Sequence, residues 1–293
     1  MLVLAALMAA LGIGVSAVVS EGLIRARPKP LLVANFRGID VPAVGGAAIL
    51  LSVVAAEAFF TVVALLAATP FERQPGAVSP AAIGMTYISQ HRIGLLIVVA
   101  GFFALGLLDD LFAGGEERGF KGHLAAIKEG RLTGGSIKAL AGGALALIAA
   151  GFWESALAWV VVDGLLVALS ANLLNLLDLR PGRAVKVFLL WWIPVAAVGW
   201  STPYLPVSAA AAGAATTWLP SDLGGRGMLG DSGSNLLGAV AGSGAALVLP
   251  PVGKLIAVAV LVALTVLSEW RSFNSFIEWV PPLRWVDSLG RSD

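Results

Sequence analysis

Long apolar runs, separated by short polar segments, cover most of the chain. A helix needs roughly 20 predominantly apolar residues to cross the hydrocarbon core of a bilayer. The pattern predicts nine spanning helices, and the fourth and sixth are short enough to form a re-entrant pair instead. The predicted spans are residues 2–24, 43–69, 92–112, 137–152, 154–177, 186–201, 203–219, 234–250 and 252–270. The first run lacks a preceding basic region, which favours a spanning helix over a cleaved signal peptide.

The composition supports this pattern. Hydrophobic residues make up 58% of the chain, charged residues only 13%, and the mean hydropathy is +0.89. A soluble protein carries about 25% charged residues. We therefore expect an all-α, polytopic integral membrane protein with one domain over residues 1–293. The net charge of +1 gives no reason to expect a nucleic-acid partner, and the absence of cysteine excludes disulfides, thiolate metal ligands and a cysteine nucleophile.

The distribution of Lys and Arg predicts the orientation in the cell membrane. If the N-terminus lies outside, only Arg73, Arg92 and Lys254 of the 19 Lys and Arg residues fall on the outer side. The remaining 16 lie in or beside cytoplasmic loops and the carboxyl-terminal tail, as the positive-inside rule requires. The tail mixes aromatic residues with arginines, which suits an interfacial segment.

Three polar clusters lie at the ends of apolar runs, all on the predicted cytoplasmic side. They are Asp109 with Asp110; Asn172, Asn175 and Asp178; and Gly230, Asp231, Ser234 and Asn235. Ionisable groups at a membrane are costly to place and are functional candidates. The three clusters therefore predict one shared polar site at the cytoplasmic face.

The residue types suit a phosphate-bearing ligand and Mg²⁺. Backbone N–H groups at the start of the helix after the Gly-rich loop favour phosphate. Asp231 would repel a phosphate there unless Mg²⁺ bridges the two. Asp109 and Asp110 point about 100° apart on a helix, so one can hold a cation while the other acts as a base or orients a ligand. The asparagine amides supply donors and acceptors.

Each cluster also has a simpler structural explanation. Asp109 and Asp110 could be the hydrophilic end of a helix, and the asparagines could join two helices by hydrogen bonds. Asp231 could cap a helix. Two further acids, Glu57 and Asp163, lie inside predicted spans, where each could pair across helices.

The three motifs, in this order, resemble those of the polyprenyl-phosphate N-acetylhexosamine-1-phosphate transferase superfamily, which includes the phospho-N-acetylmuramoyl-pentapeptide transferases. The resemblance covers most of the chain. The matching segments are Arg37 to Gly46 with a Pro-x-x-Gly-Gly pattern, the Asp109-Asp110 pair with Lys121 at a downstream basic position, the Asn-x-x-Asn-x-x-Asp motif from Asn172 to Asp178, and the Gly-Asp-x-Gly-Ser motif from Gly230 to Ser234.

The resemblance implies transfer of a sugar-1-phosphate from a UDP-sugar to a polyprenyl (undecaprenyl) phosphate at the cytoplasmic face. UMP is released, the pathway is cell-envelope polysaccharide biosynthesis, and family members are often homodimers. Asp231, assisted by Asp109, would bind Mg²⁺, with Mn²⁺ as an alternative ion. Asp109 and Asp110 would position or deprotonate the lipid phosphate. The residues predicted to bind nucleotide-sugar or phosphate are Asn172, Asn175, Asp178, Lys121, Gly230 and Ser234. Arg180 and Arg183 are added to them on other grounds, because the sequence departs from the family pattern there.

Two departures from the family pattern leave alternatives open. Asp178 is followed by Leu-Arg-Pro-Gly-Arg where the family has Gly-x-Asp-Gly-Leu, so Arg180 and Arg183 could hold a different phosphate-bearing donor. The family typically carries a His-rich motif in its last cytoplasmic loop, which helps to select the sugar. The tail of this chain has no histidine, which argues against the peptidoglycan precursor as the donor. A non-catalytic relative that binds polyprenyl phosphate or a partner protein and regulates envelope synthesis is the second hypothesis. A transporter is disfavoured, because most charges lie at one face and not near span centres.

Overall fold

The fold is a bundle of helices with one small sheet. The computed structural model describes residues 2–35, 37–68, 80–112, 134–270 and 272–291. Over these residues the helices are α1 (Leu2–Ala26), α2 (Gly45–Ala68), α3 (Pro80–Phe112), α4 (Gly134–Ala150), α5 (Leu157–Leu177), α6 (Arg183–Val198), α7 (Tyr204–Leu223), α8 (Gly230–Val248), α9 (Pro251–Trp270), α10 (Phe273–Trp279) and α11 (Pro281–Ser288). Between α1 and α2, a short 3-10 turn precedes strands β1 (Leu32–Ala34) and β2 (Asp40–Pro42), which pair antiparallel with Leu32 opposite Pro42.

Each of the helices α1 to α9 overlaps one of the nine predicted spans, but α3 begins at Pro80 and not at the predicted residue 92. Five of them contain a stretch long and apolar enough to cross a membrane: all of α1, α5 and α9, residues Gly45–Val62 of α2 and residues Gln90–Phe112 of α3. The helix α4 is apolar but shorter. The chain is therefore helical and carries apolar helices of membrane-spanning length. The count of nine spans and their orientation stay predictions.

The helices α7 and α8 form the centre of the bundle. Every residue from Tyr204 to Ala215 in α7 and from Ser232 to Ala246 in α8 is buried. Both stretches are rich in Ala, Gly and Ser, which let helix backbones approach closely. A Cβ added to Gly213 would lie 2.4 Å from the carbonyl oxygen of Ala9, so α1 and α7 are in backbone contact there. Helix contacts, and not a high hydropathy, account for the burial of these two helices.

The two acids within predicted spans both pair across helices. Arg92 donates from Nε to Glu57 over 2.9 Å, and its guanidinium also lies 4.5 Å from the centre of the Phe60 ring. The Lys254 ammonium lies 2.8 Å from Asp163, whose side chain is fully buried. Arg92 and Lys254 are two of the three cations predicted on the outer side, so buried acids account for their positions.

The chain ends in a segment that returns to the start of α6. We call residues 272–291, which include α10 and α11, the carboxyl-terminal segment. Asp287 in α11 accepts two hydrogen bonds from the guanidinium of Arg183, the first residue of α6. Trp279 and Trp285 lie exposed on the segment, and the interfacial location of the tail stays a prediction.

Candidate functional site

The three polar clusters lie together in the structure. Helix α8 packs against both α3 and α5, and α4 packs against the same two helices. This arrangement brings the end of α3, with Asp109 and Asp110, to the start of α8, with Asp231. It also places Asn175 of α5 against Asn235 of α8, with 3.3 Å between the Asn175 Nδ2 and the Asn235 Oδ1. Residues far apart in sequence thus form one polar site.

A lysine connects the carboxylates of the first and third clusters. Lys138, in the first turns of α4, donates to Asp109 and lies 2.9 Å from an oxygen of Asp231. All three side chains are about one third exposed, so a ligand can reach them. In the sequence Lys138 contributed only to the charge bias. One feature of the sequence could have indicated its role: it is a cation at the second residue of the predicted span 137–152, which is otherwise apolar.

The other carboxylate at the end of α3, that of Asp110, contacts the backbone at the start of α8. Asp110 accepts hydrogen bonds from the backbone N–H groups of Asp231 over 2.8 Å and Ser232 over 3.0 Å. It therefore caps the N-terminus of α8 from a neighbouring helix, where a negative charge is favourable. Gly230 precedes this cap with φ +77°, and a Cβ there would lie 2.9 Å from Asp110. The geometry thus favours positioning roles for Asp110 and Gly230, where the sequence suggested catalysis and ligand binding.

The asparagines of α5 differ in their surroundings. Asn172 is exposed, whereas Asn175 is partly buried and donates to Asn235. Asn235 is 4% exposed, and its Nδ2 has no hydrogen-bond partner among the described residues. Ser234 is buried and its hydroxyl donates to the carbonyl of Asp231, so it holds the first turn of α8. Asn235 belongs to the polar cluster that begins at Gly230, but no role in the site was predicted for it.

A cleft opens beside this polar site, next to the end of α5. The cleft is shallow, and the space within it and in the solvent at its open mouth amounts to about 360 Å³. Its walls are formed by Asn35, Asp178, Leu179, Arg180, Pro181, Asp222, Gly225, Gly227 and Met228. Asp178 and Arg180 were predicted to bind the nucleotide-sugar, and both line this cleft. Asp222 was not predicted; its only signal was an acid in the cytoplasmic loop predicted at 220–233.

The cleft contains two carboxyl groups that influence each other. Burial raises the pKa of Asp222 to about 7, although the side chain accepts a hydrogen bond from the Gly182 N–H over 3.0 Å. Burial and the nearby charge of Asp222 together raise the pKa of Asp178 well above its usual range. Two carboxyl groups in such a cleft do not both ionise readily. A pair that retains one proton offers a ligand both hydrogen-bond acceptors and a donor.

The two arginines that follow Asp178, where the sequence departs from the family pattern, have different surroundings. Arg180 lines the cleft and lies 3.8 Å from Glu278, with more than a third of its side chain exposed. Arg183 is 4% exposed, and Asp287 and Asn274 already occupy its guanidinium. Of the two, Arg180 is therefore the one placed to meet a ligand. Lys121 lies outside the described residues.

The carboxylates can be tested against the needs of Mg²⁺. Within residues 2–35, 37–68, 80–112, 134–270 and 272–291, no three or more His, Asp or Glu side chains form a group suited to a metal ion. Two carboxylates, Asp109 and Asp231, do converge on one cation, the Lys138 ammonium. Mg²⁺ commonly takes only one or two protein carboxylates and completes its shell with water and substrate phosphates. The pair therefore fits Mg²⁺ in the presence of a phosphate-bearing ligand.

Comparisons with known proteins do not decide the function. No protein-family model matches the chain, and no curated protein matches it. The function is therefore inferred from the geometry of the site and from the motifs that the chain carries.

Proposed function

We propose that the chain is a Mg²⁺-dependent transferase that moves a sugar-1-phosphate from a UDP-sugar to a polyprenyl phosphate at the cytoplasmic membrane face. One observation carries this proposal: Asp109, Asp231 and Lys138 form an accessible charged centre beside a cleft that is lined by the half-buried Asp178 and the buried Asp222. Asn175 and Asp178 lie three residues apart on α5 and at its end, and they connect the two parts. The centre suits diphosphate and the cleft suits the nucleoside.

The reaction depends on charge neutralisation and positioning. An oxygen of the lipid phosphate forms a bond to the phosphorus that carries the sugar, while the bond from that phosphorus to the UMP oxygen breaks. Such phosphoryl transfers need little covalent chemistry from the protein and gain most from fixed opposite charges. The Lys138 ammonium can donate to the phosphate oxygens on which negative charge accumulates.

The acids of the centre would hold the metal. Mg²⁺, when bound by Asp231 and Asp109, would neutralise charge on the diphosphate. Asp110 fixes the position of Asp231, because it accepts hydrogen bonds from the backbone of Asp231 and Ser232. Gly106 allows α3 and α8 to approach closely at this point, because a Cβ on residue 106 would collide with the carbonyl oxygen of Asp231.

The cleft would recognise the donor nucleotide. Asp178 and Asp222 can accept hydrogen bonds from ribose hydroxyls or from a base N–H, and the protonated member can donate one. Arg180, at the edge of the cleft, can pair with a phosphate oxygen of the donor. These contacts are directed at a nucleotide, which a site for polyprenyl phosphate alone would not need.

The test is release of UMP. Protein in detergent is given undecaprenyl phosphate, Mg²⁺ and a panel of UDP-sugars, and UMP is assayed with and without EDTA. We expect release with at least one sugar, lost on adding EDTA and abolished by Asp231→Asn in protein that remains folded. Glu154→Gln is the control, because it changes a partly exposed carboxylate on the predicted opposite side, and a Gln oxygen can keep its hydrogen bonds from the Ser155 and Ala156 N–H groups. Equal turnover by Asp231→Asn and the wild type would contradict the mechanism.

One observation favours the non-catalytic alternative, a relative that binds polyprenyl phosphate or a partner protein. The ammonium of Lys138 lies between the two carboxylates that would hold Mg²⁺, where it competes with a divalent cation. If Lys138 permanently replaces the metal, the folded, lipid-binding protein will release no UMP from any UDP-sugar. Mg²⁺ will then also have no effect on binding of the lipid.

A further inference from the structure

A buried arginine links the carboxyl-terminal segment to the loop between α5 and α6. The Nε and Nη2 of Arg183 lie 2.8 and 3.0 Å from the two oxygens of Asp287, and its Nη1 lies 2.6 Å from the Asn274 Oδ1. The side chains of Arg183 and Asp287 are only 5% and 10% exposed. All three guanidinium nitrogens of Arg183 are therefore satisfied within the protein, and its charge is matched there.

Two further contacts hold the segment in the same place. The Lys186 ammonium, one turn along α6, donates to the backbone carbonyls of Val286 and Asp287 over 3.2 and 2.8 Å. Gly290, with φ +73°, lies against Leu223 at the end of α7, where an added Cβ would be 3.1 Å from the leucine side chain. The segment thus contacts the start of α6 and the end of α7.

The loop between α5 and α6 lies among these contacts and forms one wall of the cleft. Residues 178–182 separate α5 from α6, and Arg183 follows them directly. On one side the Gly182 N–H donates to Asp222. On the other, Arg183 is bound to Asp287, and Arg180 lies 3.8 Å from Glu278. The position of this loop therefore depends on a segment about 100 residues later in the chain. Such a long-range contact is not set by the local sequence.

We infer that the carboxyl-terminal segment is a latch that fixes the cleft loop, and that Asp287 is a positioning residue that acts through Arg183. The identity of the ligand in the cleft, a UDP-sugar, rests on the proposed function. The contact between the latch and the loop does not. Loss of the latch releases Arg180 and Asp178 from their places at the cleft, so donor binding weakens while the charged centre at Lys138 is unchanged.

The first measurement needs no substrate. Hydrogen–deuterium exchange of the full-length protein in detergent reports the opening of residues 178–183. In Asp287→Asn we expect these amides to exchange at least about tenfold faster than in the wild type, because a local opening is no longer opposed by the ion pair. Asp287→Glu should restore slow exchange, since it keeps the charge. Arg284→Gln, which changes an exposed residue on the same helix, should exchange as the wild type does.

The second measurement separates positioning from a general loss of structure. In Asp287→Asn the KM for the UDP-sugar should rise by about fivefold or more, with kcat within about twofold of the wild type. If removal of the ion pair prevents folding, Asn274→Ala provides a milder test, because it removes only the contact to Nη1 of Arg183. That variant should then show the same two effects at smaller size.

The outcomes are distinguishable. Unchanged exchange of residues 178–183 in both folded variants overturns the latch, whatever the activity. Faster exchange with an unchanged KM and a reduced kcat overturns the positioning of the donor. If the wild type turns over no UDP-sugar, the proposed function fails. Faster exchange in Asp287→Asn, restored by Asp287→Glu, still supports the latch in that case.

Discussion

Replacement of Lys138 by methionine tests the charged centre most informatively. The lysine is hydrogen-bonded to both Asp109 and Asp231, at 2.9 Å from the latter. Two oxygens bonded to one ammonium can be no more than about 6 Å apart, and about 5 Å serves here to gauge their repulsion. At that distance, with an effective dielectric constant of about 20, two carboxylates repel each other by about 3 kcal/mol. Lys138→Met therefore leaves an acidic pair that attracts another cation.

The variant should change metal binding and turnover in opposite directions. The repulsion is screened because the side chains are partly exposed, so we expect Mn²⁺, followed by electron paramagnetic resonance, to bind about tenfold more tightly than to the wild type. Turnover, measured as UMP release at saturating Mg²⁺, should fall by about 10²–10³, the usual effect of removing one group that stabilises a developing negative charge.

A control and a refuting result complete this test. Arg25→Met removes an exposed cation whose partner, Glu21, lies one turn away, so neither metal binding nor turnover should change. The reasoning is refuted if Lys138→Met turns over UDP-sugar within about twofold of the wild type. A merely structural ion pair would show that result, together with a lower thermal stability.

Two other predictions concern stability. Lys254→Met leaves Asp163 buried without its cation, so the free energy of unfolding should fall by about 3–5 kcal/mol. The KM for the UDP-sugar should not change. A Tm equal to that of the wild type would contradict the pairing. Asp222, with a folded-state pKa raised to about 7, favours the folded state at low pH, and this contribution is lost as pH rises from about 4 through about 7. Asp222→Asn should therefore flatten the pH dependence of the Tm in that range, and an unaltered profile would show that the carboxyl group is not buried as described.

The sequence predicted the helices well, because their signal is local. Each apolar run overlaps a helix, although α3 begins at Pro80 and its run was predicted from residue 92. The acids at the ends of these runs stand where α3 ends and α8 begins. Hydropathy does not reveal that α7 and α8 form the centre of the bundle. Their Ala, Gly and Ser residues are only moderately apolar, and close packing against neighbouring helices buries them.

The partners of the charged residues could not be predicted from the sequence. Lys138 meets Asp109 and Asp231, which are 29 and 93 residues away, and no local pattern encodes such a contact. Asp110 and Asp109 are chemically identical and adjacent in sequence. Only the approach of α8 makes Asp110 a helix cap and leaves Asp109 facing the lysine.

The arginines after α5 show the same limit. Both Arg180 and Arg183 were proposed to hold a phosphate because the motif places them beside Asp178. The structure separates them: Arg180 lines the cleft, and Arg183 is buried against Asp287. A carboxylate 104 residues away decides that difference.

The most direct test of the central claim is detection of the lipid product. Undecaprenyl phosphate, Mg²⁺ and the UDP-sugars are incubated with purified protein, and mass spectrometry follows the lipid while UMP is assayed in parallel. We expect a lipid-linked sugar diphosphate in equal amount to UMP, and neither product with Asp231→Asn or EDTA. Folded protein that binds the lipid but forms neither product with any UDP-sugar would contradict it.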